Sequence, residues 1–480
     1  MFAPGEILLV SCYELGHQPL SLASPLAALR RADFAPAAVD TAVSALDDAA
    51  IARARLVAIA VPMHTALRLG TRIAARVRAL NPAAHICFYG LYAALNAETL
   101  LQELADSTIA GEYEEALVGL ARALAANEAP EGVPGVRTRE HEARPVLARL
   151  PFAVPARETL PAPRAYAHLV RDGGVVPAGY VEASRGCLHT CRHCPITPVY
   201  GGRFFVVPRP VVLADIRAQV AAGVRHITFG DPDFLNGPGH SLAIVRALHE
   251  ELPDVTWDAT IKVEHIVERR ELFAEFAALG CVFVVSAVES LSPAVLRHLK
   301  KGHTREDVVT ALGILDAAGI PMRPTFVAFT PWTTDRDYLD LLDFIAAHDL
   351  IGAVDPVQYS IRLLVPPGSA LLEEPDAGAW VGPLDAEHFT YRWEHPDPRM
   401  DRLQMAVAAL VEHAAREGEP AETTFAAVRA LAEEMLDRVP AMAAAAATSA
   451  AVRGASSQAG GRLPSHSRRP VPHLTEAWFC

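Results

Sequence analysis

Three cysteines, Cys187, Cys191 and Cys194, stand at CxxxCxxC spacing in the run Glu182 to Pro195 (EASRGCLHTCRHCP), directly after a short apolar segment, and no fourth cysteine follows nearby. Three thiolates on one tight loop can hold three irons of a [4Fe-4S] cube and leave the fourth iron open, whereas zinc or an electron-transfer cluster normally takes four protein ligands. A structural zinc site or a redox dithiol would use the CxxC pair and give no role to a cysteine four residues upstream. Arg185-Gly186 ahead of the first cysteine, His193 before the last and Pro195 after it make a polar, turn-forming loop at a strand end. In an α/β barrel that is the functional rim.

At 480 residues the chain suggests two or three domains, each long enough to bury its own core. The apolar fraction of 51% and the mean hydropathy of +0.19 owe much to alanine. Arg, Asp, Glu or His interrupts the apolar stretches before the roughly 18 residues a spanning helix requires, so no membrane segment is expected. The opening MFAPGEILLVSCYELGHQP has neither a basic n-region nor a cleavage-type sequence, and the chain reads as cytoplasmic. Seven cysteines, three of them committed to one loop, make no disulfide framework, and an oxygen-sensitive cluster needs reducing surroundings. A net charge of -13 without a dense Lys/Arg block argues against nucleic acid held on a large basic face.

Residues 1–125 alternate short apolar runs (Glu6 to Cys12, Leu56 to Pro62, His85 to Tyr89, Ser107 to Ala110) with helical stretches, the pattern of a doubly wound, Rossmann-like domain. Residues 126–178, rich in Pro, Arg and Glu, read as a linker. Alternation resumes over residues 179–370, with strands expected near Val181, Ile227, Thr256, Phe283, Thr325 and Val357. About six β/α units there suit a partial (β/α)6 barrel. Residues 371–440 read as a helical appendage placed to cover the barrel mouth. Residues 441–480 read as a flexible tail, with Arg453 to Pro470 a tether by composition. The fold class is therefore α/β throughout, with a helical C-terminal extension.

The cysteine loop resembles that of the radical SAM superfamily, in which S-adenosylmethionine (SAM) chelates the open iron and is cleaved to a 5′-deoxyadenosyl radical. Gly230-Asp231-Pro232-Asp233 stands where the superfamily has its Gly-Gly-Glu-Pro motif, with Phe229 in place of the first glycine. The resemblance gives Gly230 and Asp231 the methionyl ammonium. Ser286-Ala287-Val288-Glu289-Ser290, followed by Leu299 to Thr304 (LKKGHT), resembles the fourth-strand G-x-E-S and downstream K-G-x-T pattern, which gives Glu289 and Ser290 the ribose hydroxyls. The bland reading of Ser290 or Ser292 is a helix N-cap. Phe329 fills the position of a glycine that normally admits adenine, and Pro366-Pro367-Gly368-Ser369 resembles the turn closing the sixth unit. Tyr200-Gly201-Gly202-Arg203 reads either as a close-approach site for a ligand or as a helix cap.

The resemblance extends to the ends of the chain. Tyr89-Gly90-Leu91 and Gly111-Glu112-Tyr113-Glu114 are faintly similar to the Gly-Gly and G-E-x-E turns of cobalamin-binding domains, which makes cobalamin a further candidate cofactor; no DxHxxG motif is present, and His17 and His64 read as loop histidines. The ending His473 to Cys480 (HLTEAWFC), with the cysteine loop and HPDPRMDRLQ, resembles the radical SAM family whose members end in Cys-Sec-Ala-Glu-Pro or Cys-Cys-Ala-Glu-Pro. That resemblance implies terminal redox chemistry at Cys480 and a selenocysteine at position 481, beyond a UGA codon read as stop. The expected partners are a flavodoxin- or ferredoxin-like one-electron reductant and an unidentified substrate. Two further readings stand beside the hydrogen-abstracting enzyme: a cobalamin-dependent radical SAM methyltransferase, and a non-catalytic iron–sulfur module for electron transfer or delivery of sulfur or selenium.

Overall fold

The computed structural model describes residues 2–148, 151–436 and 471–475. The N-terminal unit is a six-stranded sheet of β1 (Ile7–Ser11), β2 (Ala37–Asp40), β3 (Leu56–Ala60), β4 (His85–Tyr89), β5 (Ser107–Ile109) and β6 (Val136–Arg137). Its order is β2-β1-β3-β4-β5-β6, parallel except for β6. Both faces are covered, so β1 and β3 are buried at every residue, as a parallel sheet flanked by helices requires. Leu8, Val10, Val57 and Ile59 face the helix His64–Leu80, while Ile7, Leu9, Leu56 and Ala58 face the helix Leu20–Arg31. The strand order reverses at β1, which lies between β2 and β3, and the crevice at their carboxyl ends is the place where such sheets bind ligands.

The second sheet contains β7 (His168–Arg171) and β8 (Gly174–Val181), then, after the short pair β9 (Ser184–Gly186) and β10 (Phe204–Val206), β11 (His226–Phe229), β12 (Thr256–Thr260), β13 (Cys281–Glu289) and β14 (Met322–Phe326). The five strands β8, β11, β12, β13 and β14 run parallel and curl into a half-barrel whose core includes Ile227, Trp257 and Val284. β7 pairs antiparallel with β8 across an Asp172-Gly173 turn in which both residues have positive φ, +50° and +77°. That is the two-residue hairpin geometry that Asp-Gly favours. The hairpin lies inside the stretch whose composition suggests a linker.

The strand expected near Val357 is instead a 3-10 turn, Pro356–Tyr359. Pro356 has no amide donor, and the Gln358 side chain takes over the ladder by accepting from the Phe326 amide at 2.9 Å; parallel pairing survives only as a bridge between Phe329 and Arg362. The appendage is also placed differently from expectation. The helices Pro398–Glu417 and Ala421–Met435 do not cover the barrel mouth: Met400, Val407, Phe425 and Val428 join the barrel core beside Tyr338 and Tyr359. The hairpin of β15 (Val381–Asp385) and β16 (Thr390–Trp393), with Trp332 and Leu371, forms a separate small core near the rim.

The last described strand, β17 (His473–Leu474), pairs antiparallel with β7 and completes the order β14-β13-β12-β11-β8-β7-β17. Cys480, the stretch expected to be a tether and most of the tail lie outside the described residues. Among the described residues, no helix is long and apolar enough to cross a membrane.

Candidate functional site

The cysteine loop leaves β9 at Gly186, whose φ is +76°. A Cβ there would lie 2.4 Å from the Arg203 carbonyl oxygen, which accepts from the Cys187 amide at 3.0 Å, so only glycine fits this close crossing. The Thr197 hydroxyl donates to the Cys191 carbonyl at 2.7 Å, and the Arg192 amide donates to the Leu299 carbonyl at 3.0 Å, so the loop is fixed from two sides. Asn236 Oδ1 accepts from the Leu188 amide at 3.2 Å. Gly201, at φ +57°, is the C-cap of the helix Ile196–Tyr200, the cap reading of that segment.

Cys187, Cys191 and Cys194 are all free thiols, buried or half-buried. Burial pushes the Cys194 thiol up to about 12 and raises that of Cys187, so binding iron must displace protons. Three thiolates on one loop without a fourth cysteine beside them fit a [4Fe-4S] cluster with one iron left to another ligand. Lys301, 3% exposed, lies beside Cys191 and Cys194; burial opposes its charge, but Glu289 and the two cysteines hold its pKa above the ordinary value. Cys87 and Cys281 are buried in β4 and β13 and Cys12 just past the end of β1, and burial raises the pKa of each, as expected of inert core thiols.

Two carboxylates at strand ends flank the loop. Asp231, at the end of β11, is 2% exposed and accepts from the Ala183 amide at 2.9 Å and from the Ser184 hydroxyl. With no cation in contact among the described residues, burial pushes it up to about 7. Gly230 before it cannot be replaced freely, because a Cβ would lie 2.0 Å from the Tyr180 ring. Glu289, at the end of β13, adopts φ +65° at a bulge in the β13–β14 register, a conformation that costs a non-glycine residue on the order of 1–2 kcal/mol. Its Oε1 lies 3.1 Å from His193 Nε2 and 3.5 Å from Lys301 Nζ. Burial opposes ionisation, but Lys301 and His193 outweigh it and bring the carboxyl down to about 2. The Ser290 hydroxyl accepts from the Ser292 amide, and Thr304 of the K-G-x-T segment caps the helix Arg305–Ala318 with Asp307, so both side chains are engaged locally. Phe329 is buried in the barrel core.

A cavity of about 360 Å³ joins the carboxyl ends of both sheets. Its walls include Glu14 and Met63 after β1 and β3, Gly90 and Gly111 of the N-terminal turns, and Asp231 and Arg323 of the barrel. His17, in the loop after β1, borders the cavity and is packed on Tyr180 at 4.8 Å between ring centres, whereas His64, expected in a loop, is the first residue of the helix His64–Leu80, with Nε2 2.7 Å from the His388 carbonyl. The two units are tied by Arg185, 8% exposed, which meets Glu114 at 2.7 Å, Glu182 at 2.9 Å and Glu112 at 3.0 Å; Tyr200 donates to Glu112 at 2.8 Å. The G-E-x-E segment thus supplies two acids to a residue two positions before Cys187.

The structure brings Cys187, Cys191, Cys194, Asp231 and Glu289 to one rim, with Gly230 and Ser290 serving the backbone around them. Lys301, His193 and Arg185 are the functional residues that sequence reasoning left without a role. The LKKGHT segment carried a signal for Lys301; nothing local marked the Arg185 network.

Residues 181–345 match the model of the Radical SAM superfamily, and this segment is a radical SAM domain. The chain is 25% identical over 276 residues to an uncharacterized methyltransferase of Pyrococcus horikoshii, covering 56% of this chain and 57% of that one. It is 28% identical over 233 residues to the ribosomal protein uS12 methylthiotransferase RimO of Cereibacter sphaeroides, covering 45% and 49%. The chain thus spans about half the length of these curated relatives. In fold it is similar to the radical SAM methyltransferase TsrM from Kitasatospora setae, at TM-score 0.65 and 18% identity over 84% of this chain and 89% of that one. It is also similar to the cobalamin-dependent SAM radical enzyme OxsB, at TM-score 0.66 and 16% identity over 83% and 66%. These likenesses extend across both sheets and establish an α/β fold with a Rossmann-like unit followed by a half-barrel.

Proposed function

We propose that this chain is a radical SAM enzyme that holds a [4Fe-4S] cluster on Cys187, Cys191 and Cys194 and abstracts hydrogen from a substrate in the cavity between its two sheets. Bound there, the cluster supplies one electron, received from a flavodoxin- or ferredoxin-like donor, for cleavage of SAM to methionine and the 5′-deoxyadenosyl radical. Asp231 accepts the methionyl ammonium, the cationic partner its buried carboxylate lacks among the described residues. Glu289, fixed by Lys301 and His193, presents its remaining oxygen to the ribose hydroxyls, and Lys301 balances negative charge at the cluster. Gly230 keeps the β11 end close to Tyr180, and Ser290 shapes the turn after Glu289. The N-terminal unit closes the cavity and limits water entry. The observation that carries this reading is the trio of free thiols, buried or half-buried, on a radical SAM half-barrel beside a buried acid that meets no cation among the described residues.

The test is anaerobic reconstitution with iron and sulfide, then dithionite and SAM, scoring 5′-deoxyadenosine. Wild type is expected to form it and Cys191→Ala to fall to background. A well-formed cluster that yields none would sink the proposal in favour of a non-catalytic iron–sulfur module.

A second reading, cobalamin-dependent methyl transfer, draws support from the cavity at the sheet switch point, where Gly90 and Gly111 have positive φ and leave their backbone open to a close ligand, and from the fold likeness to OxsB, whose solved structure holds aqua-cobalamin. Expression with hydroxocobalamin checks it: a corrinoid spectrum retained through purification supports this reading, and a colourless cluster-free protein removes it. The terminal motif belongs to the hydrogen-abstracting proposal, with Cys480 as a redox or substrate-handling thiol.

A further inference from the structure

We propose that His189, Asp233 and His265 form a mononuclear Zn²⁺ site that pins the middle of the cysteine loop to the carboxyl ends of β11 and β12. The function proposed above gives these three side chains no role, and the site stands whether or not SAM is cleaved.

The three residues come from three separate elements. His189 lies between Cys187 and Cys191, Asp233 ends the Gly230–Asp233 turn after β11, and His265 is on the helix Val263–Glu268 after β12. One donor atom from each, His189 Nε2, Asp233 Oδ2 and His265 Nδ1, lies within 4.8 Å of the other two. Asp233 Oδ2 is 3.3 Å from His189 Nε2 and 2.6 Å from His265 Nδ1, and the imidazole rings are 4.8 Å apart between centres. Despite this closeness, all three atoms are buried without a hydrogen-bond partner of suitable geometry. Buried polar atoms are rarely left so, and three that face one another unbonded are satisfied together by one cation. Donors about 2.0–2.1 Å from a tetrahedral Zn²⁺ stand about 3.3 Å from one another, so the His189–Asp233 pair is already at that spacing and the closer His265 has to open slightly.

The surroundings fit as well. Asp233 is 2% exposed, and its other oxygen accepts from the Leu235 amide at 3.2 Å and the Lys262 amide at 3.4 Å, which aims Oδ2 at the histidines. Lys262 Nζ stands 3.1 Å from His189 Nδ1, and its charge is answered by Glu264. The Glu264 carboxylate is 3.7 Å from the same Nδ1, within reach of the proton that a metal-bound imidazole keeps there. Two imidazoles and one carboxylate leave a fourth position open, and the His189 side chain, 22% exposed, gives an ion a way in. None of the three residues lines the cavity between the sheets, so the site is separate from the proposed reaction chamber. Among the described residues one other donor set converges as closely, His298, Glu374 and Asp376, but there Glu374 is already ion-paired with Arg192.

The test uses full-length protein reconstituted anaerobically with iron and sulfide, dialysed against Zn²⁺, desalted and analysed for both metals. Wild type is expected to retain about one zinc per chain beside its cluster iron, and His265→Ala less than about a fifth of that with cluster iron unchanged. Zinc retained equally by both proteins, or by neither, would overturn the site. Zinc K-edge absorption on wild type needs no variant and so does not depend on how His265→Ala folds. Nitrogen and oxygen neighbours at about 2.0–2.1 Å are expected; a sulfur shell at about 2.3 Å would put the zinc on the cysteines and sink the assignment. Neither measurement scores 5′-deoxyadenosine, so failure here is distinguishable from failure of the enzyme reading.

Discussion

The ends of β11 and β13 carry the same chemical group in opposite surroundings. Asp231 is buried among neutral donors and is pushed up to about 7, whereas Glu289, equally enclosed, is brought down to about 2 by Lys301 and His193. Burial acts on both in the same direction, and the difference lies in the cation that one has and the other lacks. An acid already paired inside the protein positions its neighbours; an acid with only neutral donors gains most from a cation that arrives with a ligand. That contrast separates the two SAM-facing roles that motif resemblance alone assigns to both.

The strongest way to break the contrast is Glu289→Gln, which strands Lys301 as a buried ammonium beside the cysteine loop. Removing one member of a buried ion pair is expected to cost on the order of 3–5 kcal/mol, read as a lower midpoint in urea unfolding; an unchanged midpoint would show that the pair does not hold the rim. Asp231→Asn should act on binding. Loss of the charged acceptor is expected to weaken SAM by about 1.5–3 kcal/mol, roughly 10- to 100-fold, in anaerobic equilibrium dialysis, with the urea midpoint held or raised. Unchanged affinity would move the ammonium elsewhere.

The pH profiles sharpen the same contrast with smaller effects. Asp231 has its pKa raised from an ordinary 3.8 to about 7, so between those values the folded state holds a proton that the unfolded chain has lost. Its contribution to stability therefore falls as pH rises through that window, by up to about 1.4 kcal/mol per unit. Glu289 has the opposite sign: its contribution is full above an ordinary 4.5 and is lost as pH falls toward about 2. SAM affinity should rise up to about tenfold per unit until pH reaches about 7 and then level off, since binding to ionised Asp231 no longer expels a proton. Asp231→Asn should remove the neutral-pH limb from both profiles and leave the acid limb in place; persistence of the neutral limb would assign it to another group.

The parts of this protein that were legible in sequence are those encoded within a few residues. Ligand spacing singled out Cys187, Cys191 and Cys194 as the proposed cluster ligands, apolar runs located β1, β3, β4 and β11, and the turn segments led to Asp231 and Glu289. Glu289 to Lys301 is a separation of 12 residues and was half visible through the LKKGHT segment. Arg185 and Glu112 stand 73 residues apart and meet only after two sheets dock, so no periodicity or motif could pair them. The β7–β8 hairpin was signalled by Asp172-Gly173 and hidden by the proline-rich composition around it. β17 is two residues long, too short for any alternation to show, and Val357 failed as a strand because a neighbouring proline and a glutamine side chain replaced the ladder.

Arg185 also bears on how such a chain can be recombined. The guanidinium sits on β9, just before the cysteine loop, yet two of its three acidic partners belong to the N-terminal unit. A half-barrel fused to a foreign N-terminal unit would inherit a cation two residues before Cys187 and only Glu182 to answer it. Domain exchange across residues 126–178 is therefore constrained by chemistry rather than by length of connector: an acceptable donor must bring acids to the same spot, and the two halves travel as a matched set.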